Sequence, residues 1–368
     1  MAQVKSTKER NRMKNTGNTT VSFLIVGSGY RAEYFGRIAA RYPELFRAMY
    51  LCRSEEKVDL MRRQTGIGGT ILAEEAMDFQ PDFVVVAVDR GHMNEVVCLW
   101  ASRGYPVLAE TPVGCSEEEL TTLWEMATRN KVVISSLEQY HRYPVIAEGI
   151  RRIEAGAIGE PVSMTLSLCH EYHGMSLIRR MLRVQGEDYS LMAMEGHGQA
   201  VATDSRYGAI RTGEKGEETR QCVLLRFASG KTAIYDFAPI QYRSFIRGRH
   251  VTVRGERGEW HDRFFDVLDE RGEPRKLCLM PEIPEAYRAL DTQTLRDLRK
   301  AFSGEMFLET AWDEFAIATM LMDMKNCLEG GPSPYPLREA MEDAYFPIMV
   351  KRALQSGQIV STPPRPWI

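Results

Sequence analysis

The stretch VSFLIVGSGYRAEYFGR, from Val21 to Arg37, constrains the fold more than any other: an apolar run stops at Gly27 and a helical pattern resumes after Gly29. Gly27 permits a tight turn, Gly29 lets a backbone approach a pyrophosphate, and Ala32 stands where a third small residue lets helix pack on strand. Ser28, Tyr30 and Arg31 complete the turn, at which unpaired N–H groups and the positive end of a helix dipole would face an anion. Alone, Gly-x-Gly-x-x-Ala is a weak signature, because turns before helices often carry glycine.

The surrounding pattern strengthens it. Apolar runs predict strands over 21–26, 48–51, 83–88, 106–109 and 132–135, and helical periodicity falls over 31–42, 55–64, 93–103 and 116–129. Such alternation belongs to a doubly wound parallel sheet of the Rossmann type, and VVVAV at 84–88 suits a strand buried between two helix layers. In such a sheet a ligand sits beyond the carboxyl ends of the strands.

At 368 residues the chain is long enough for two full cores. Residues 1–20 are expected to be a disordered tail, 21–143 a dinucleotide-binding domain, and 144–368 a substrate-binding and oligomerisation domain. In the last part a helix is expected over 144–154, strands over 162–168, 221–227, 231–237 and 250–254, and helices over 291–302 and 311–328. Strands joined by turns predict an α+β domain with a mostly antiparallel open sheet, one face covered by helices and the other free for a subunit interface.

Formal charge is −3, and the five Lys or Arg in the first twenty residues leave the remainder more acidic than that, which argues against a nucleic-acid partner. No apolar run is long enough to span a membrane, and the basic start lacks the apolar centre of a signal peptide. Seven cysteines, odd in number and without a Cys-x-x-Cys, read as reduced thiols in a cytoplasmic protein.

With these residues the chain resembles the Gfo/Idh/MocA family of nicotinamide-dependent oxidoreductases, which act mostly on sugars and cyclic polyols. The similarity is carried by GSGYRA at 27–32, VVVAVDRGH ending at His92, GYPVLAETPVG at 104–114, EQYHRYP at 138–144, IEAGAIGEPVSM at 153–164 and a lone His197 after a glycine. It runs in order over about 21–330. The resemblance implies a Rossmann domain followed by an α/β domain whose open sheet often mediates oligomers, here a homodimer or homotetramer. It also implies a carbohydrate-like small-molecule substrate, and it sets His92, Glu110 and Thr111 beside the cofactor.

Cofactor choice is read after the second strand, where an NAD site places Asp or Glu on the ribose 2′-hydroxyl. This chain has Cys52-Arg53-Ser54. With no carboxylate to repel a 2′-phosphate and a guanidinium to bind it, NADP is favoured over NAD, which stays open.

Hydride chemistry on an alcohol or carbonyl needs a group to take or give the hydroxyl proton. The family's Lys in Glu-Lys-Pro is Thr111 here, and the Asp four residues before the family's His is Ala193. His197 is therefore the expected acid/base, with Tyr140 or His173 second. Glu195 is not expected to replace the missing Asp, since i and i+2 do not share a face if the segment is helical. Gln139, His141, Arg142, His170 and Arg179 are expected at the substrate. His170-x-x-His173 with Glu195 and His197 lacks a diagnostic metal spacing, and no metal is expected.

Three functions remain open at this point: a nicotinamide-dependent oxidoreductase on a sugar-like or cyclic polyol substrate; a glycosidase or lyase that retains its nicotinamide and oxidises the sugar transiently; and a non-catalytic dinucleotide or sugar sensor. Fold alone does not separate them.

Overall fold

The computed structural model describes residues 20–205, 208–280, 284–290 and 309–368. The expected tail up to residue 19 and the expected helix over 291–302 lie outside the described residues.

Six parallel strands form the first sheet: β1 (Val21–Val26), β2 (Phe46–Leu51), β3 (Gly69–Thr70), β4 (Phe83–Val86), β5 (Val107–Ala109) and β6 (Ile134–Ser136). Helices α1 (Tyr30–Arg41), α2 (Glu55–Thr65), α3 (Ala73–Asp78), α4 (Arg90–Ser102) and α5 (Glu117–Asn130) connect them. Sheet order is β3-β2-β1-β4-β5-β6, so the winding reverses between β1 and β4, where a crevice opens at the carboxyl ends. Helices on both faces explain why β4, FVVV, is buried along its length.

Two local features fix how the first helices sit. A Cβ on Gly36 would stand 2.1 Å from the Tyr50 hydroxyl, so Gly36 lets α1 pack close on β2, and Ala32 is fully buried on the same helix. Tyr50 then donates to the Ala32 carbonyl at 2.9 Å. Ser54 accepts from the Lys57 N–H as N-cap of α2, and Gly66 ends that helix in the left-handed region at φ 78°.

After α6 (Pro144–Glu154), which opens on a proline, come β7 (Pro161–Ser167), α7 (Glu171–Leu182) and the long strand β8 (Tyr189–Val201). A short antiparallel pair, β9 (Asp204–Ser205) and β10 (Gly208–Ala209), leads to β11 (Lys215–Phe227), β12 (Thr232–Phe237), β13 (His250–Gly255), β14 (Gly258–His261), β15 (Phe264–Leu268) and β16 (Pro274–Cys278). Helices α8 (Glu309–Leu328) and α9 (Leu337–Ser356) and the short β17 (Val360–Ser361) complete the described chain. The second sheet has nine strands in the order β16-β15-β14-β13-β7-β12-β11-β8-β17; β7 and β12 run parallel and the other pairs antiparallel.

Side-chain alternation sorts this sheet into two faces. Leu191, Ala193, Val223, Leu225, Ala233 and Tyr235 are buried, on the side where α9 packs against α7 and β8. Met192, Met194, Leu224 and Ile234 point the other way and are exposed, and Met192, Leu224 and Ile234 lie side by side in register.

Helix α8 returns to the first sheet. Asp313 and Glu314 pair with Arg31 and Arg37 of α1 at 3.3 and 3.0 Å. All seven cysteines are free thiols, and among the described residues no helix is long and apolar enough to cross a membrane.

Candidate active site

The glycine turn lies at the β1–β4 crevice. Gly27 has φ +136°, and a Cβ there would stand 2.1 Å from the Ala87 carbonyl oxygen, so the turn leaves β1 hard against the end of β4. Gly29 caps α1 without a side-chain hydrogen bond, and a Cβ on it would meet nothing within 4 Å. An exposed helix N-terminus with open space over its first residues fits a pyrophosphate. Ser28 and Tyr30 flank it, with the Tyr30 and Tyr34 hydroxyls 2.8 Å apart.

At the end of β2 the three expected residues divide: Cys52 is buried, Ser54 is half-buried with its Oγ accepting from Lys57 as the N-cap of α2, and Arg53 faces solvent with no partner among the described residues. His92, in the first turn of α4, is exposed and sits 2.9 Å from Asp89.

Arg31 departs from expectation. Its Nε donates to Glu110 at 2.9 Å and its Nη1 to Asp313 of α8 at 3.3 Å, so the guanidinium ties α1, the end of β5 and α8 together. Burial would lower the Arg31 pKa, but Glu110 and Asp313 outweigh it and keep the group charged. Burial in turn raises Glu110 against the pull of Arg31. Asp313 also accepts from Gln139 Nε2 at 3.1 Å and from the Tyr143 hydroxyl. Gln139, expected at the substrate, is thus a buried brace. Arg31 Nη2 and Gln139 Oε1 remain buried without hydrogen-bond partners among the described residues, a donor and an acceptor at the crevice that fit a carboxamide.

A second cluster gathers at the carboxyl ends of β6 and β7. Glu138 Oε2 is 2.5 Å from Nδ1 of His173, both side chains buried. Desolvation pushes Glu138 up to about 8 and His173 down to about 3, so at neutral pH the pair is Glu138–COOH bonded to a neutral imidazole. The His173 ring packs on Tyr140, His170 and Tyr172 at centroid distances of 4.6, 4.8 and 4.5 Å. Beside it, Arg90, Tyr172, His170, Tyr242 and Tyr140 form a continuous chain of polar contacts between 2.6 and 3.4 Å. Thr111 reaches the Tyr172 hydroxyl from the end of β5. A cleft of about 680 Å³ opens next to this chain, with Arg90, Glu171, Tyr172, Gln221, Lys351 and Arg352 in its wall.

The structure therefore brings together Glu110, Thr111, Tyr140, His170 and His173, and leaves four expected residues elsewhere. His197 lies on β8 opposite Thr219, with its side chain 71% exposed and its ring 3.4 Å from Glu195. The segment is a strand, whose period of two puts i and i+2 on one face, so Glu195 and His197 do meet, but away from the cluster. Their link to the cleft runs through Gln221, which bonds Glu195 at 3.2 Å. His141 is buried under Tyr335 and accepts from Arg142 at 2.9 Å, while Arg142 pairs with Asp323 of α8 at 2.8 Å. Arg179 is buried between Asp343 and Glu339 of α9, at 2.7 and 2.5 Å. These three brace helices and do not face the cleft.

Residues that sequence reasoning missed are Arg90, Tyr172, Tyr242 and Asp313. Tyr172 stood inside HEYH at 170–173, directly after a strand end, which was a usable signal. Tyr242 and Asp313 come from far along the chain, and no local pattern marks them.

No family model matches the chain, and no curated protein sequence matches it. Solved structures do. An NAD-binding oxidoreductase from Klebsiella pneumoniae is similar at TM-score 0.69 and 16% identity, over 94% of this chain and 100% of that one. Levoglucosan dehydrogenase in complex with NADH and levoglucosan gives 0.69 and 15%, over 94% and 100%. An oxidoreductase from Agrobacterium radiobacter in complex with NAD+, L-tartaric acid and magnesium gives 0.68 and 15%, over 93% and 98%. The chain thus has the two-domain fold of these oxidoreductases, a parallel dinucleotide-type sheet followed by an open antiparallel one.

Proposed function

We propose that this protein is a nicotinamide-dependent oxidoreductase acting on a sugar-like or cyclic polyol substrate. The observation that carries the proposal is the placement of the polar cluster. A cleft walled by three cations, two carboxylates and a phenol opens at the carboxyl ends of a sheet whose first turn is shaped for a pyrophosphate. Hydroxyl-rich substrates need many donors and acceptors, and this wall supplies both. The structural neighbours bound to NADH with levoglucosan, and to NAD+ with L-tartaric acid, support the same class. A bound nicotinamide would accept or supply the hydride. Gly27, Gly29 and the α1 N-terminus would hold its pyrophosphate, and Arg31 with Gln139 its carboxamide.

The test is to identify the dinucleotide that copurifies and to follow nicotinamide absorbance over a panel of sugars, sugar acids and cyclic polyols. Dinucleotide bound without any turnover would favour the sensor; turnover of a glycoside without net absorbance change would favour the retained-cofactor lyase.

Two further expectations belong to this reading. NADP(H) is bound more tightly than NAD(H) because Arg53 is unpaired at the end of β2. Arg53→Ala should lose a charge-assisted bond of roughly 1.5–3 kcal/mol to NADP(H), with NAD(H) affinity almost unmoved. Calorimetric titration in which both cofactors weaken equally would remove Arg53 from the 2′-phosphate. His197→Ala should leave kcat within about twofold of wild type, since an exposed side chain away from the cluster does not touch the reacting atoms. A homo-oligomer in solution is also proposed, formed through the face that exposes Met192, Met194, Leu224 and Ile234, and sedimentation measures it.

A further inference from the structure

One hydroxyl in the cleft wall has an unusual set of neighbours. Tyr172 Oη receives Arg90 Nη2 at 2.9 Å and lies 2.9 Å from His170 Nε2. On the far side of that ring, Nδ1 is 2.6 Å from the Tyr242 hydroxyl, which also receives the His170 backbone N–H at 2.9 Å and the Tyr140 hydroxyl at 3.4 Å. Burial, then His173 and Arg90, hold His170 well below the usual histidine range, so it is neutral and carries one N–H. The His170 N–H and the Tyr140 hydroxyl both donate to Tyr242, so Tyr242 donates to Nδ1 and the Nε2–H is left for Tyr172, the nearer of its two neighbours, with Arg90 Nη2 3.3 Å from the same nitrogen. Tyr172 then has two donors arriving, and its own hydrogen is left for a ligand oxygen in the cleft.

We propose that Tyr172 is the catalytic residue that exchanges a proton with the substrate oxygen, and that Arg90 and His170 are the two donors that hold its phenolate. This rests on the oxidoreductase reading above. In the oxidation of an alcohol the substrate O–H bond breaks and its proton moves to the Tyr172 oxygen. The O–H electron pair becomes the second C–O bond, and the carbinol C–H pair departs as hydride. In the reduction Tyr172 returns the proton to the carbonyl oxygen. The hydride would pass to the nicotinamide of the proposed dinucleotide in oxidation and come from it in reduction, so that dinucleotide is the co-reactant.

The groups facing Tyr172 set its titration. Burial raises the phenol, Arg90 lowers it, Glu171 raises it, the Thr111 hydroxyl lowers it and Glu110 raises it. His173, with Glu138 behind it, adds no charge at neutral pH. The net direction is upward, so Tyr172 rests protonated. Reduction can start from that state, and oxidation should accelerate as pH rises.

Tyr172→Phe keeps the ring and removes only the hydroxyl. It should lower kcat by about 10²- to 10⁴-fold and abolish the alkaline rise of the oxidation rate, with dinucleotide affinity held within about twofold. Arg90→Gln should displace that rise to higher pH. A second measurement needs no turnover: the tyrosinate absorbance of wild type minus Tyr172→Phe isolates this phenol. The same difference taken in an Arg90→Gln background should titrate at higher pH. A Tyr172→Phe protein with wild-type kcat overturns the assignment and leaves the oxidoreductase reading standing. A wild type that binds no dinucleotide overturns that reading instead, and an Arg90→Gln difference titration that does not move then overturns the polarised phenol too.

Discussion

Gly29→Val should abolish dinucleotide binding while leaving the fold almost as stable as before, and Gly27→Val should unfold the protein. The contrast follows from where each missing side chain would go. At Gly27 a Cβ would stand 2.1 Å from the Ala87 carbonyl oxygen and 2.8 Å from its carbon, backbone atoms at the end of β4 that cannot swing aside. The +136° φ adds backbone strain for any residue with a side chain. Clash and strain together should cost more than about 4 kcal/mol, the range reached by few substitutions. At Gly29 φ is −90° and the space is open, so the folded chain accepts a side chain. That open space is where a pyrophosphate would approach the first N–H groups of α1, and an isopropyl group there should weaken dinucleotide binding by at least about 100-fold, or 2.7 kcal/mol. Denaturant midpoints and calorimetric titration separate the effects. If Gly29→Val binds dinucleotide as wild type does, phosphate does not approach this turn.

How far the sequence carries a reader depends on whether the signal is local. The first sheet was legible because each strand is an apolar run bounded by glycine or a capping residue; β1 and α6 have the expected limits, and the other expected elements of this region differ at their ends. β3 and α3 were not anticipated, being a two-residue strand and a six-residue helix with too few positions for a period. α7, Glu171–Leu182, was also missed. Buried between the sheet and α9, it hides His173, Ser176 and Arg179 as well as its apolar residues, so its polar positions read as site residues and not as the outer face of a helix. β8 hid for a related reason: from Met194 to Gln199 every residue is exposed, and without an inward partner the alternation that identifies a strand disappears. His197 was misplaced on that account, because its role was inferred from chain order. The polar cluster at the carboxyl ends of β6 and β7 was half legible. HEYH and EQYH mark two strand ends, yet only the fold reveals that Glu138 meets His173 rather than Tyr140 or His141.

The Glu138–His173 pair should govern how stability varies with pH, and the sign can be worked out from each member. Glu138 holds its proton up to about 8 in the folded protein, against roughly 4.3 in an unfolded chain. Its contribution is therefore complete below the unfolded value and is lost as pH rises through the folded one. His173 titrates near 3 when folded, against roughly 6.5 unfolded, so its contribution is complete above the unfolded value and is lost as pH falls. Between the two unfolded values the slopes oppose and cancel, since one proton stays within the pair. Above about 6.5 only the Glu138 slope survives, and stability should fall by on the order of 1–2 kcal/mol by about pH 8. Glu138→Gln removes the titrating group but keeps its size. The difference between wild type and variant should therefore grow steadily in the variant's favour above neutral pH, whatever the rest of the molecule does. Urea midpoints taken every half pH unit would reveal it. Parallel curves for the two proteins from pH 6.5 to 8.5 would mean that the folded pair holds no proton over that range, a Glu138 carboxylate beside a neutral imidazole.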